Sequence, residues 1–143
     1  MNTDAASYIR EIVEPTIADF RDHPASRRHA FLACVVTFHC IDYLTRRPQN
    51  LRNEYRRDSP DFAIVDRVAH AFKHERSGNP NSPQNQPLHA SSVFERPPAT
   101  AGIAQCGLSR VGDSTGSVEI WSEEGSDLLR AVTNAAEFLR RKM

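Results

Sequence analysis

Nowhere does this chain run apolar for long enough to cross a bilayer as a helix, which takes about 20 consecutive apolar residues. Its start, MNTDAASYIREIVEP, carries acidic residues where a secretory signal needs a basic start followed by an apolar run. The two absences predict a cytoplasmic protein without a membrane partner. Cysteine is scarce as well: Cys34, Cys40 and Cys106 give an odd count without paired spacing. Neither a disulfide framework nor a zinc knuckle is expected, and the thiols should be reduced and mostly buried. Net charge is missing, 18 basic residues against 18 acidic ones, so bulk charge implies neither nucleic acid nor a membrane surface. Lysine is nearly missing too, 2 residues against 16 arginines, which hints at a GC-rich genome and says nothing about activity. No internal repeat and no heptad run is visible.

What is present reads as one domain. Of 143 residues, 39% are hydrophobic, and a chain of this size can bury roughly 68–70% of its unfolded surface. Ile9, Ile12, Val13, Ile17 and Phe20 recur at helical spacing, predicting one helix from Asp4 to about Arg21 that is kinked or restarted at Pro15. A second helix, roughly Ala25 to Arg46, carries apolar residues around nearly its whole circumference, as a central helix does. Within it His39 and Asp42, three apart, should face each other as a buried pair or hydrogen bond. Ser59, Pro60 and Asp61 make a start signal, an N-cap, a proline at the first position and an acid on the helix dipole, for a helix reaching about Arg76.

From Ser77 to Pro98 the composition turns to Ser, Asn, Gln and Pro, the mark of a mobile loop. GIAQCGLSRV and SVEIW, joined by GDSTG, predict a β-hairpin lying on the helices, with Cys106 in its first strand and Trp121 packed between hairpin and helix rather than serving as a base-stacking platform. A final helix begins at Ser126 as N-cap and ends in Arg140, Arg141 and Lys142, basic residues suited to a helix C-terminus. The expected fold is mainly α in a single domain: a four-helix bundle-like core over about 5–76, a flexible loop over about 77–98, and a short C-terminal β-hairpin with the last helix over about 102–143.

The densest chemistry lies in DRVAHAFKHE, from Asp66 to Glu75. At about 100° per residue, Phe62, Val65, Val68, Ala69 and Phe72 fall on one side of the helix, and Asp66, Arg67, His70, Lys73 and His74 on the other. Three uses are open. Asp66, His70 and His74 step by four and could point three ligands at a metal, although no metal is expected. Arg67 and His74, two turns apart, could bracket a phosphodiester, the arginine stabilising phosphate charge and the histidine moving a proton, with a symmetry mate adding a second copy of each. The third use is a plain polar face. Nearby, Arg46, Arg47, Arg52, Arg56 and Arg57 form a basic patch, read as a solvated helix end and loop rather than a phosphate-binding surface. His23, His29 and His89 form no constellation with one another.

An Arg, six intervening residues and a His near the end of a helix, after an almost wholly apolar preceding helix, resembles the HEPN superfamily, whose mark is Arg, four to six residues, then His. The Lys-His ending of AHAFKHE is also similar to small bacterial relatives of that superfamily in which an Ala-Asn-x-x-Lys-His-like segment occupies this helix. The resemblance covers roughly residues 5–76. It implies a helical bundle that often dimerises and, in active members, cleaves RNA without metal or cofactor. Carried to this chain, Arg67 would hold phosphate and His74 would transfer the proton, with Asp66, His70 and Lys73 as binding residues. Val68 stands where active members usually have a polar residue, and His70 where the relatives tend to have asparagine. Two functions follow: a non-enzymatic accessory or binding module, preferred here, or a metal-independent RNA endonuclease. The partner would be RNA, a protein or a second copy of the chain.

Overall fold

The computed structural model describes residues 4–44, 48–78, 87–121, 123 and 126–143. Arg46 and Arg47 of the basic patch and residues 79–86 of the expected loop lie outside them. The chain is mainly helical, as its apolar periodicity predicts.

Helix α1 (Ala5–Tyr8), a π-helical turn (Ile9–Val13) and α2 (Glu14–Asp22) follow one another without a break. The Asp4 carboxylate caps the start, accepting from the Ser7 amide at 2.7 Å. Pro15 does not end the helix because the turn before it is wound wider: the Glu14 amide donates to the Ile9 carbonyl, five residues back. A π turn loosens the contact that a proline ring would otherwise make with the carbonyl four residues earlier. Ile9, Val13, Ile17 and Phe20 all turn into the core.

Helix α3 (Arg27–His39) is capped by Ser26, and α4 (Ile41–Leu44) follows after a break at Cys40. The expected single helix from Ala25 to Arg46 is therefore two pieces. The Cys40 amide donates to the Thr37 carbonyl, three residues back, at 3.2 Å, and this tightening ends α3. His39 Nδ1 and Asp42 do meet across the break at 3.0 Å, but both side chains are about half exposed rather than buried.

Helix α5 (Pro48–Asp58) precedes α6 (Pro60–His74). The start signal works as read: the Ser59 hydroxyl accepts from the Phe62 amide at 3.1 Å and Pro60 opens the helix. α6 packs mainly on α3 and α7 (Leu128–Arg140), with α5 alongside. Phe62, Val65, Val68 and Ala71 are wholly buried in it; a large apolar side chain so enclosed contributes roughly 1.5–3 kcal/mol. Tyr55 and Phe138 meet edge-on at 5.1 Å, and Tyr55 meets Phe62 likewise at 5.8 Å. α7 buries Leu128, Val132, Ala135, Ala136 and Leu139 along one stripe. Its N-cap is Asp127, whose carboxylate accepts from the Leu129 amide at 2.9 Å. Ser126, the expected cap, instead accepts from the Ile120 amide at 2.8 Å, tying the end of a strand to the helix start.

The strands correct the sequence reading. β1 (Arg76–Ser77) pairs antiparallel with β2 (Leu88–His89), and β3 (Val93–Arg96) with β4 (Ser117–Ile120), in the register Val93↔Ile120 to Arg96↔Ser117. The first strand of the ribbon thus comes from the segment expected to be a mobile loop. GIAQCGLSRV, expected to be that strand, forms turns, and Cys106 in it is exposed, unlike the buried Cys34 and Cys40. Val93, Val118 and Ile120 face the helices. The turns rejoin β4 through Gly116 at φ 72°, where a Cβ would lie 2.5 Å from the Arg96 carbonyl oxygen, so glycine is required there. Trp121 is 60% exposed and touches Phe94 edge-on at 5.1 Å, rather than lying beneath the ribbon. No helix among the described residues is long and apolar enough to cross a membrane.

Candidate functional site at the end of helix α6

The expected polar face of α6 divides in two. Asp66 is completely buried. Arg52 reaches it from α5 with Nε at 2.9 Å and a terminal nitrogen at 2.8 Å, and Arg56, one turn further along α5, donates to the same carboxylate. His70 Nδ1 lies 2.8 Å from both the Asp66 carboxylate and the Asp66 carbonyl oxygen. Both oxygens are acceptors, so Nδ1 carries the hydrogen. Burial by itself would raise the Asp66 carboxyl, but hydrogen bonds from His70, Arg52 and Arg56 outweigh it and hold the group well below the usual carboxylate range.

This arrangement overturns the reading of Asp66 as a member of an open face and of the arginine patch as wholly solvated. It also removes the metal clip. The Asp66 oxygens are occupied, and among the described residues no group of three or more His, Cys, Asp or Glu side chains could hold a metal ion. Arg67 is engaged as well: its guanidinium makes a two-pronged contact with Glu123 at 2.9 and 3.3 Å and is mostly buried.

The exposed remainder is Lys73 and His74. Among the described residues neither has a hydrogen-bond or ion-pair partner, although the His74 ring faces that of His70 at 6.3 Å. Just past them Glu75, not a glycine, ends the helix at φ 63°. Beside Lys73 a cavity of about 160 Å³ opens between α3 and α6. Phe31, Val35 and Phe38 of α3 and Ala69 of α6 supply its apolar wall, and His39, His70 and Lys73 its polar groups. The His70 ring meets Phe38 edge-on at 4.7 Å, so one histidine links the buried Asp66 to this cavity.

Arg67 and His74, joined by the sequence motif, do not share an open groove formed by both side chains: one is tied to Glu123 and the other points to solvent. Sequence reasoning missed Arg52, Arg56 and Glu123 as partners. One signal was available for the first two. Asp66 lies only about 40° around the helix from Phe62, at the border of the apolar arc, and Arg52 and Arg56 are spaced by four and so project together. Glu123 had no such signal, since its pairing spans 56 residues. Also missed was the parallel stacking of His23 and His29, whose ring centres are 4.4 Å apart.

No family model matches this chain, and no curated protein or solved structure is significantly similar to it.

Proposed function

We propose that this chain is a non-enzymatic binding module with a HEPN-like helical core, and that the open end of α6 is its binding region. The observation that carries the reading is the state of Arg67. A phosphate-gripping arginine must offer its donors to the substrate, whereas here Glu123 takes them at 2.9 and 3.3 Å. Asp66, the neighbouring acid, is likewise committed to Arg52 and Arg56 inside the fold. What is left outward is cationic and unpaired at Lys73, a feature of recognition rather than of proton transfer.

The second reading is a metal-independent RNA endonuclease acting through Arg67 and His74. It is favoured by the exposed His74 ring, and it would require Glu123 to release Arg67, with a second copy of the chain contributing its own pair across a dimer axis. Incubating the purified protein with structured and single-stranded RNA in excess chelator separates the two. The binding-module reading expects intact RNA. Cleavage that persists in chelator and disappears in His74→Ala would overturn it in favour of the nuclease.

A further inference from the structure

Lys73 occupies an unusual place. Although its polarity sets it with the other face, on the helical wheel it lies within about 20° of Phe62, on the arc where α6 elsewhere buries apolar residues, yet it is exposed and, among the described residues, without an ion-pair partner. At that level Lys73 lines the cavity between α3 and α6. Its wall is aromatic and aliphatic, from Phe31, Val35, Phe38 and Ala69, and its polar contributors are Lys73, His39 and His70. Among the described residues that line it there is no carboxylate. Asp66, which His70 joins to the cavity, is held by Arg52, Arg56 and His70, and Asp42 meets His39. The guanidinium of Arg52 also lies 5.4 Å from the Phe38 ring, adding positive charge behind the wall.

We propose that this cavity is a binding site for a single-ring aromatic monocarboxylate, its ring against Phe31 and Phe38 and its carboxylate at the Lys73 ammonium. This deepens the binding-module reading and rests on it. Size, wall and charge each narrow the ligand. A cavity of about 160 Å³ is close to the ~150 Å³ that accommodates a benzene ring, so one ring fits against the wall. Aromatic walls favour an aromatic guest through edge-on and offset ring contacts. An unpaired cation with no acid among the lining residues favours an anion, while the mostly apolar wall disfavours inorganic phosphate, which needs several donors.

The test is a titration of the full-length, isotopically labelled protein followed by amide NMR, with phenylacetate as probe and phenylacetamide, hexanoate and acetate as comparators. Saturable shifts at Val35, Ala69 and Lys73 are expected for phenylacetate, with affinity about fivefold above that of the neutral amide, the range of a half-exposed ion pair. Lys73→Met keeps the stem of the side chain and should abolish that preference. Val35→Trp fills the cavity and should remove binding of both. Absence of saturable shifts at millimolar phenylacetate would overturn the proposal, as would equal affinity for phenylacetamide, tighter binding of hexanoate or acetate, or indifference to Lys73→Met. RNA cleavage reports on the binding-module reading separately, so intact RNA with no phenylacetate binding refutes the ligand alone.

Discussion

Asp66 in the helical core and Glu119 in the β ribbon are both buried carboxylates held by two arginines, and they hold different kinds of structure. Asp66 is reached by Arg52 and Arg56 from a single neighbouring helix, with its own helix supplying His70. Glu119 is reached by Arg96 from the paired strand and by Arg110 from the turns that connect the strands, at 2.9 Å for Arg110, and it accepts from Ser117 at 2.7 Å. Arg96 also donates to the Leu108 carbonyl. The first cluster sets one helix against another. The second fastens residues 99–116, which contain no regular element, onto two short strands. Shielding differs in parallel: Arg56 is 10% exposed, whereas Arg110 is 56% exposed. The same chemistry thus specifies a rigid junction in one place and substitutes for secondary structure in the other.

The sharpest way to break this comparison is to remove each acid. Asp66→Ala strands two guanidiniums inside the helical core and should cost about 3–5 kcal/mol, measured by urea denaturation; Glu119→Ala should cost less, about 1–3 kcal/mol, because Arg110 can turn to water. A larger loss from Glu119→Ala would reverse the ranking of the two clusters.

Acid titration comes next. The folded Asp66 carboxyl lies below its ordinary value of 3.8, and the folded Glu119 carboxyl below its ordinary 4.5, burial again opposing and the bonds from Arg96 and Ser117 prevailing. A depressed carboxylate contributes stability that is whole above its ordinary value and is lost as pH falls through the folded one. Stability should therefore decline on acidification below pH 4.5. The decline should flatten more in Asp66→Asn than in Glu119→Gln, read from denaturation midpoints between neutral and acid pH. The smallest effect belongs to Arg110→Ala, expected under about 1 kcal/mol because its half-exposed guanidinium interacts through solvent; thermal unfolding of this variant beside Arg56→Ala, expected to lose several times more, completes the pairwise ranking.

The sequence was most legible where the determinants are local. The start of α6 needed only Ser59, Pro60 and Asp61 in a row, and the periodicity of Phe62, Val65 and Val68 gave its buried side. Where the determinant is distant, reading failed for an identifiable reason. Val93 to Arg96 sit inside a stretch whose composition is that of a loop, and they become a strand through pairing with residues more than 20 positions later. A window centred on that stretch averages four ordering residues into many polar ones. Likewise the polarity of Asp66 and Arg67 placed them outside, but ion pairing reverses that preference when a neighbouring element carries the opposite charge. The HEPN-type spacing of Arg67 and His74 is visible in the chain; that Glu123 holds Arg67 is visible only in the fold.

The π-wound turn at Ile9–Val13 has a consequence for how the amino-terminal helix tolerates change in length. Such a turn is an α-helix with a single residue to spare, so deleting one residue between Ile9 and Val13 would convert it to ordinary winding without shortening α2. The residues upstream would keep their register, because the wider turn already absorbs that residue; winding every residue of it as ordinary α-helix would instead rotate them by roughly 100°, carrying Tyr8 off the Val36 carbonyl that its hydroxyl reaches at 3.0 Å and away from its stack on Tyr43. The irregular turn is thus what keys one tyrosine to its socket while letting a proline follow close behind.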